Sequence, residues 1–214
     1  MRVLSAAVAL AFAAGAAEAQ DVVVYGGAEL EFLREENGPG TGTNSYLSGY
    51  VEMEASGFYA GLWGQVANDD LLNEVDLYLG YRNETAAGLS YDIGYTRYYY
   101  PNDGGDCCGE VTLSLGMPVG DKMSTTLDLA YDPEAKLGNA YVEAAWAVTD
   151  AIEISANYGV YEVEAAPSEQ EWDLGATYYI SDETAVDLRY YDGSEYVDGY
   201  LGLSLTWDST LLGG

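Results

Sequence analysis

The sequence predicts an all-β protein: a transmembrane, antiparallel up-and-down β-barrel of about twelve strands behind an N-terminal signal peptide. Three observations carry the prediction. Apolar and polar residues alternate with period two in run after run of roughly ten residues, which is strand rather than helix periodicity. The runs form an even series with short turns on one side and longer polar links on the other, the asymmetry of bacterial outer-membrane barrels. The first nineteen residues read as an export signal.

The signal comes first in the chain. Met1-Arg2 is a minimal positive start, Val3 to Ala16 an apolar run of small residues, and Ala17-Glu18-Ala19 an A-x-A site, so cleavage after Ala19 is expected. The run is short of the ~20 residues a spanning helix needs and is built of Ala rather than Leu. Residues 20–214 form one barrel domain, since no linker divides them.

Twelve alternating runs follow, at about 22–33, 44–55, 57–67, 73–82, 88–100, 109–117, 122–132, 138–148, 151–163, 171–180, 184–192 and 197–207. Links after the even runs are tight, for example Ser56-Gly57 and Thr149-Asp150. Links after the odd runs are mostly longer and more polar, for example Arg34 to Thr43 and Pro101 to Gly109. One face of the series carries Leu30, Phe32, Leu47, Val51, Leu62, Leu77, Leu79, Ile93, Leu127, Leu188 and Leu203, with aromatics such as Phe58, Tyr81, Tyr91, Trp172 and Tyr190 near strand ends, where two interfacial girdles belong. Arg97 and Glu162 interrupt that face near the outer ends, where a charge costs roughly 0–1 kcal/mol instead of the ~2–4 of a basic residue at midplane. A soluble sandwich with apolar inner faces would alternate too. Strand number, leader and loop asymmetry together make the choice.

The opposite face is polar. It carries twelve acids: Glu29, Glu31, Glu52, Glu54, Glu74, Asp76, Asp92, Asp128, Glu143, Glu153, Asp173 and Asp187. Against them stand Arg82 and Arg189, joined by Tyr50, Tyr59, Trp63, Tyr78, Tyr141, Tyr161 and Tyr179. A ring of twelve strands at ~4.8 Å spacing and ~40° tilt has a backbone diameter of roughly 24 Å, so inward side chains leave a narrow lumen. Rings of Asp and Glu favour cations. The channel-lining candidates are Glu52, Asp76, Asp92, Asp128, Glu143 and Asp187 near mid-strand, with Arg82 and Arg189 as counter-charges and Tyr59, Trp63 and Tyr78 beside them.

Composition removes other functions. With 36 acids, 7 bases and a net charge of −29, the chain repels nucleic acid. Its 21 tyrosines and 4 tryptophans, in regular alternation, argue against disorder. It has no histidine, so the histidine-dependent chemistry of known outer-membrane lipases and proteases is missing. Phosphate-loop and dinucleotide fingerprints are absent, and no cofactor or metal is expected. Cys107-Cys108, placed in the loop after the fifth run, is expected to form a vicinal disulfide in an oxidising compartment.

The segments GFYAGLW (57–63), NEVDLYLGYRNE (73–84) and LSYDIGYTRYYYP (89–101) resemble the TorF-type porin family of proteobacteria, known by a G-x-W signature that here reads Gly61-Leu62-Trp63. The resemblance implies an outer-membrane barrel with a pore role. Members often open with an arginine-bearing strand, where this chain has Val23-Val24-Tyr25-Gly26-Gly27. The last run, Tyr200-x-Gly202-x-x-Leu205-x-Trp207, is similar to the recognition strand read by the barrel-assembly machinery, although Asp208 to Gly214 follow the terminal aromatic. The expected partners are that machinery, outer-membrane lipid and lipopolysaccharide, and small solutes. The expected function is a narrow, cation-preferring porin-like channel and not an enzyme. The alternative is an occluded barrel that acts as a structural or surface-binding protein through its extracellular loops.

Overall fold

A computed structural model describes residues 22–35, 42–194 and 199–213. The expected leader, its cleavage point and the centre of the first long loop lie outside the described residues.

The chain folds into twelve strands: β1 Val23–Glu35, β2 Gly42–Ala55, β3 Phe58–Ala67, β4 Glu74–Glu84, β5 Ser90–Tyr100, β6 Gly105–Val119, β7 Met123–Asp132, β8 Leu137–Thr149, β9 Ile152–Tyr161, β10 Glu169–Ser181, β11 Thr184–Gly193 and β12 Tyr200–Leu212. Each pairs antiparallel with its neighbours in sequence, and β12 returns to pair with β1, closing the barrel. The closing register runs from Val24 opposite Leu212 to Glu35 opposite Tyr200. Closure leaves no edge of unpaired backbone groups, which is the condition for strands to lie in hydrocarbon.

Short connections gather at one end of the barrel. The tightest is Ser56-Gly57, where φ is +60° and +82°. Positive φ at both central residues is the hairpin turn whose twist matches the flanking strands. Both described ends of the chain, at β1 and β12, lie at this turn end, and the other end carries the loops.

The molecule is inside-out relative to a soluble sandwich. Leu47, Val51, Met53, Phe58, Leu62, Leu77, Leu79, Ile93, Leu174 and Leu188 are all exposed on the outer wall. The buried residues include Glu31, Glu52, Gln65, Glu110, Ser155, Asn157 and Asp173. A continuous apolar outer surface of this kind marks a lipid-facing wall, and it resolves what alternation left open. Aromatics cap both ends of this wall. Phe58, Tyr81 and Tyr91 cluster at the turn end, and Trp172 packs on Tyr190 at the loop end.

Most boundaries fall within three residues of the sequence expectation, and the start of β6 and the end of β12 differ by more. The cysteines lie within β6 rather than in a loop, and the β5–β6 register slips beside them: Tyr98 faces Cys108 while Tyr99 faces Asp106. Cys107 is the extra residue of that bulge, so period-two reading loses the strand there. β12 also continues past Trp207, because β1 supplies partners for Asp208, Ser209, Thr210 and Leu212.

Candidate functional site: the lumen wall

Side chains on strands i and i+2 of a closed barrel converge when they point inward and diverge when they point outward. Five hydrogen bonds therefore identify the inner wall by skipping a strand. Tyr50 donates to Asp208 across β1 at 2.9 Å. Arg82 donates to Glu52 across β3 at 2.7 Å, and Tyr59 to Asp92 across β4 at 2.5 Å. Tyr141 donates to Glu171 across β9 at 2.7 Å, and Arg189 to Ser155 across β10 at 2.7 Å.

Glycines in the wall make these reaches possible. A Cβ on Gly61 would overlap the Tyr78 ring, one on Gly80 the Tyr59 hydroxyl, and one on Gly159 the Tyr141 ring. The tyrosines therefore lie flat over bare backbone instead of standing in the lumen. Gly61 of the G-x-W signature is one such seat, while Trp63 stands in register between Tyr50 and Asp76.

Two arginine-centred clusters organise the wall. Arg82 of β4 donates through Nη2 to Glu52, and its Nε lies 3.6 Å from both Glu54 Oε2 and Asp92 Oδ2. Its guanidinium stacks 4.0 Å from the centroid of the Tyr59 ring. Arg189 of β11 pairs with Asp173 through Nη1 and with Asp187 through Nε at 3.1 Å. Asp187 is held further by Thr177 Oγ1 at 2.7 Å. Four strands separate the two arginines one way round the ring and six the other, so the clusters face each other from opposite walls.

All eleven channel-lining candidates lie on the inner face, but not at one level. Asp128, Glu143 and Arg189 are mid-strand. Glu52, Arg82, Asp92, Asp187 and Tyr59 lie within three residues of their turn ends, and Asp76 lies two from the loop end of β4. Glu52, Asp92 and Asp187 are gathered into the arginine clusters, whereas Asp128 and Glu143 belong to neither set of ion pairs. Strand parity selected the face; depth depends on strand ends, which the alternation blurs. Sequence reading left out Asp173 as a site residue, and it missed Glu110, which accepts from Tyr98 at 2.8 Å, and Glu171. An inward glycine opposite an inward arginine, as Gly175 is to Arg189, is the signal that could have pointed to Asp173 two residues away.

At the loop end the outer wall carries Arg97, bound through two nitrogens to Asp106 at 2.6 and 2.8 Å and to Glu134 at 2.7 Å. A disulfide joins Cys107 to Cys108 beside it.

A closed twelve-stranded antiparallel barrel with an apolar outer wall and a polar, charged inner wall has the fold of the outer-membrane porins. The KdgM porin superposes on this chain with a TM-score of 0.66 at 10% identity, covering 85% of this chain and 98% of its own. The same porin in complex with disordered oligogalacturonate gives 0.61 at 11% identity, with 87% and 98% covered. The NanC porin gives 0.61 at 9% identity, with 86% and 100% covered. No curated protein sequence matches the chain. The chain belongs to the Gcw_chp family, described as a bacterial protein of unknown function, whose sequence model matches residues 46–211.

Proposed function

We propose that this protein is a porin-like channel of a Gram-negative outer membrane, of the TorF type, through which small cationic or neutral solutes diffuse passively without chemical change. In this reading residues 1–19 are removed on export, and the barrel-assembly machinery, lipid and lipopolysaccharide are its partners during and after insertion.

The observation that carries the reading is the charge balance of the inner wall. Two inward arginines face more than a dozen inward carboxylates, and their ion pairs go to Glu52, Glu54, Asp92, Asp173 and Asp187. Asp76, Asp128 and Glu143 contribute negative potential beyond those pairs, and a narrow lumen with low-dielectric walls focuses it. Such a field draws cations in and repels anions. Oligogalacturonate, the polyanion bound to the KdgM porin, would meet repulsion here, so the shared fold serves a different solute. The flat seating of Tyr59, Tyr78 and Tyr141 supports an open lumen over an occluded one.

The test is conductance of the refolded mature protein in a planar bilayer, with the reversal potential read under a KCl gradient. Stable steps with a cation-selective reversal potential are expected. Asp76→Asn, Asp128→Asn and Glu143→Gln together should move that potential toward zero. Electrical silence from a correctly folded, heat-modifiable barrel would overturn the channel.

A further inference from the structure

The turn end of the lumen holds an arrangement that goes beyond charge. Tyr59 is the second residue of β3, and its side chain points inward. Its ring does not point at the barrel axis. It lies along the wall over β4, and its hydroxyl reaches Asp92 on β5 at 2.5 Å. That path exists because β4 and β5 present Gly80 and Gly94 beneath it; a Cβ at Gly94 would stand 2.9 Å from the Tyr59 hydroxyl, and one at Gly80 closer still.

Arg82 closes the arrangement. Its guanidinium covers the ring face at 4.0 Å, donates to Glu52 at 2.7 Å and lies 3.6 Å from the same Asp92 that accepts from Tyr59. The Tyr59 ring on β3, the Asp92 carboxylate on β5 and the Arg82 guanidinium on β4 form a triangle, with Glu52 of β2 anchoring the guanidinium, and none of the three can move without opening its contacts to the other two. The geometry points to Arg82 as a positioning residue, a latch that holds Tyr59 against the wall and so keeps the turn end of the lumen clear. This rests on the channel reading above. Released from the latch, Tyr59 swings about χ1 into a lumen whose backbone ring is only roughly 24 Å across before side chains are counted. Lysine would keep the charge but not the function, because it is a point charge without a planar face to stack or a fork to share between carboxylates.

Single-channel recording separates the latch from a purely structural ion pair. Arg82→Lys should lower the mean open-channel current about twofold, because a ring standing in the lumen narrows a passage whose backbone ring is only roughly 24 Å across, and should add brief closures. Tyr59→Ala in the Arg82→Lys background should restore a steady current, because the moving part is gone. Gly80→Ala, which leaves every charge in place but takes the seat of the ring and presses on the Ile93 carbonyl, should reproduce the closures, and Gly80→Ala with Tyr59→Ala, which keeps that backbone contact but removes the ring, should abolish them. If Arg82→Lys does not form a heat-modifiable barrel, the Gly80 pair makes the same comparison with the arginine intact. A conducting parent with an equally quiet Arg82→Lys or Gly80→Ala overturns the latch alone, as does a closure that persists without Tyr59. A parent that passes no current overturns the channel reading and the latch with it.

Discussion

Arg82 and Arg189 stand on opposite walls of one barrel, each among carboxylates, and the two surroundings are built differently. Arg189 is held locally: Asp187 is two residues away on its own strand, Asp173 lies on the adjacent strand, and Ser155 lies one strand further. It makes four hydrogen bonds, one from Nε, one from Nη1 and two from Nη2, and among the described residues no ring stacks on it. Arg82 makes one ion pair at hydrogen-bond distance and two at 3.6 Å, and spends its face on Tyr59. Both side chains are almost equally hidden, at 12% and 13% exposure, so solvent screening does not separate them. The difference lies in what each arginine orders. Arg189 neutralises a compact patch of wall, whereas Arg82 ties four strands and an aromatic ring into one unit. Equal charge counts therefore predict unequal consequences.

The largest expected effect is on stability at the β9–β11 wall. Arg189→Ala strands Asp173 and Asp187 without their cation and should cost about 3–5 kcal/mol in reversible urea unfolding of the detergent-solubilised barrel. Arg82→Ala also leaves Glu52, Glu54 and Asp92 without their cation, but only Glu52 lies at hydrogen-bond distance from it, so the cost should be about 1.5–3 kcal/mol in the same experiment. If the order is reversed, the contrast between the walls is wrong. Next comes Gly175→Ala, whose new Cβ would stand 2.5 Å from Arg189 Cζ. Displacing that guanidinium should cost about 1–3 kcal/mol, measured as a drop in the unfolding midpoint. Stacking at the other wall is smaller. A double-mutant cycle of Tyr59→Leu and Arg82→Met should return a coupling of about 0.5–2 kcal/mol, and a value near zero would reduce Tyr59 to a bystander. The smallest is Thr177→Val, which removes one of several donors to Asp187 and should cost about 0.5–1.5 kcal/mol while leaving conductance unchanged.

Much of this wall could be read before any coordinates. Strand parity placed Glu52, Asp76, Asp92, Asp128, Glu143, Asp187 and both arginines on one face, and Leu62, Leu77 and Leu79 on the other. Parity is local, because consecutive side chains of a strand must alternate. What parity does not contain is stagger. Whether Arg82 meets Glu52 or Glu54, and whether Tyr59 reaches Asp92, depends on the register of three successive strand pairs and on the curvature that brings β3 toward β5. The cysteine pair was misplaced for a related reason: a bulge breaks the period at the point where the strand would have been recognised. The end of β12 was missed because its pairing partner, β1, lies at the other end of the chain.

The amino-acid sequence by itself determined the two faces of each strand, because consecutive side chains must alternate, and its series of about twelve runs with unequal links pointed to a closed barrel rather than a sandwich. The tertiary structure decided the ion pairs, the glycine seats of the tyrosines and the depth of each charge in the lumen. Those are relations between strands that touch only once the barrel has closed, and closure sets the stagger that no single strand encodes.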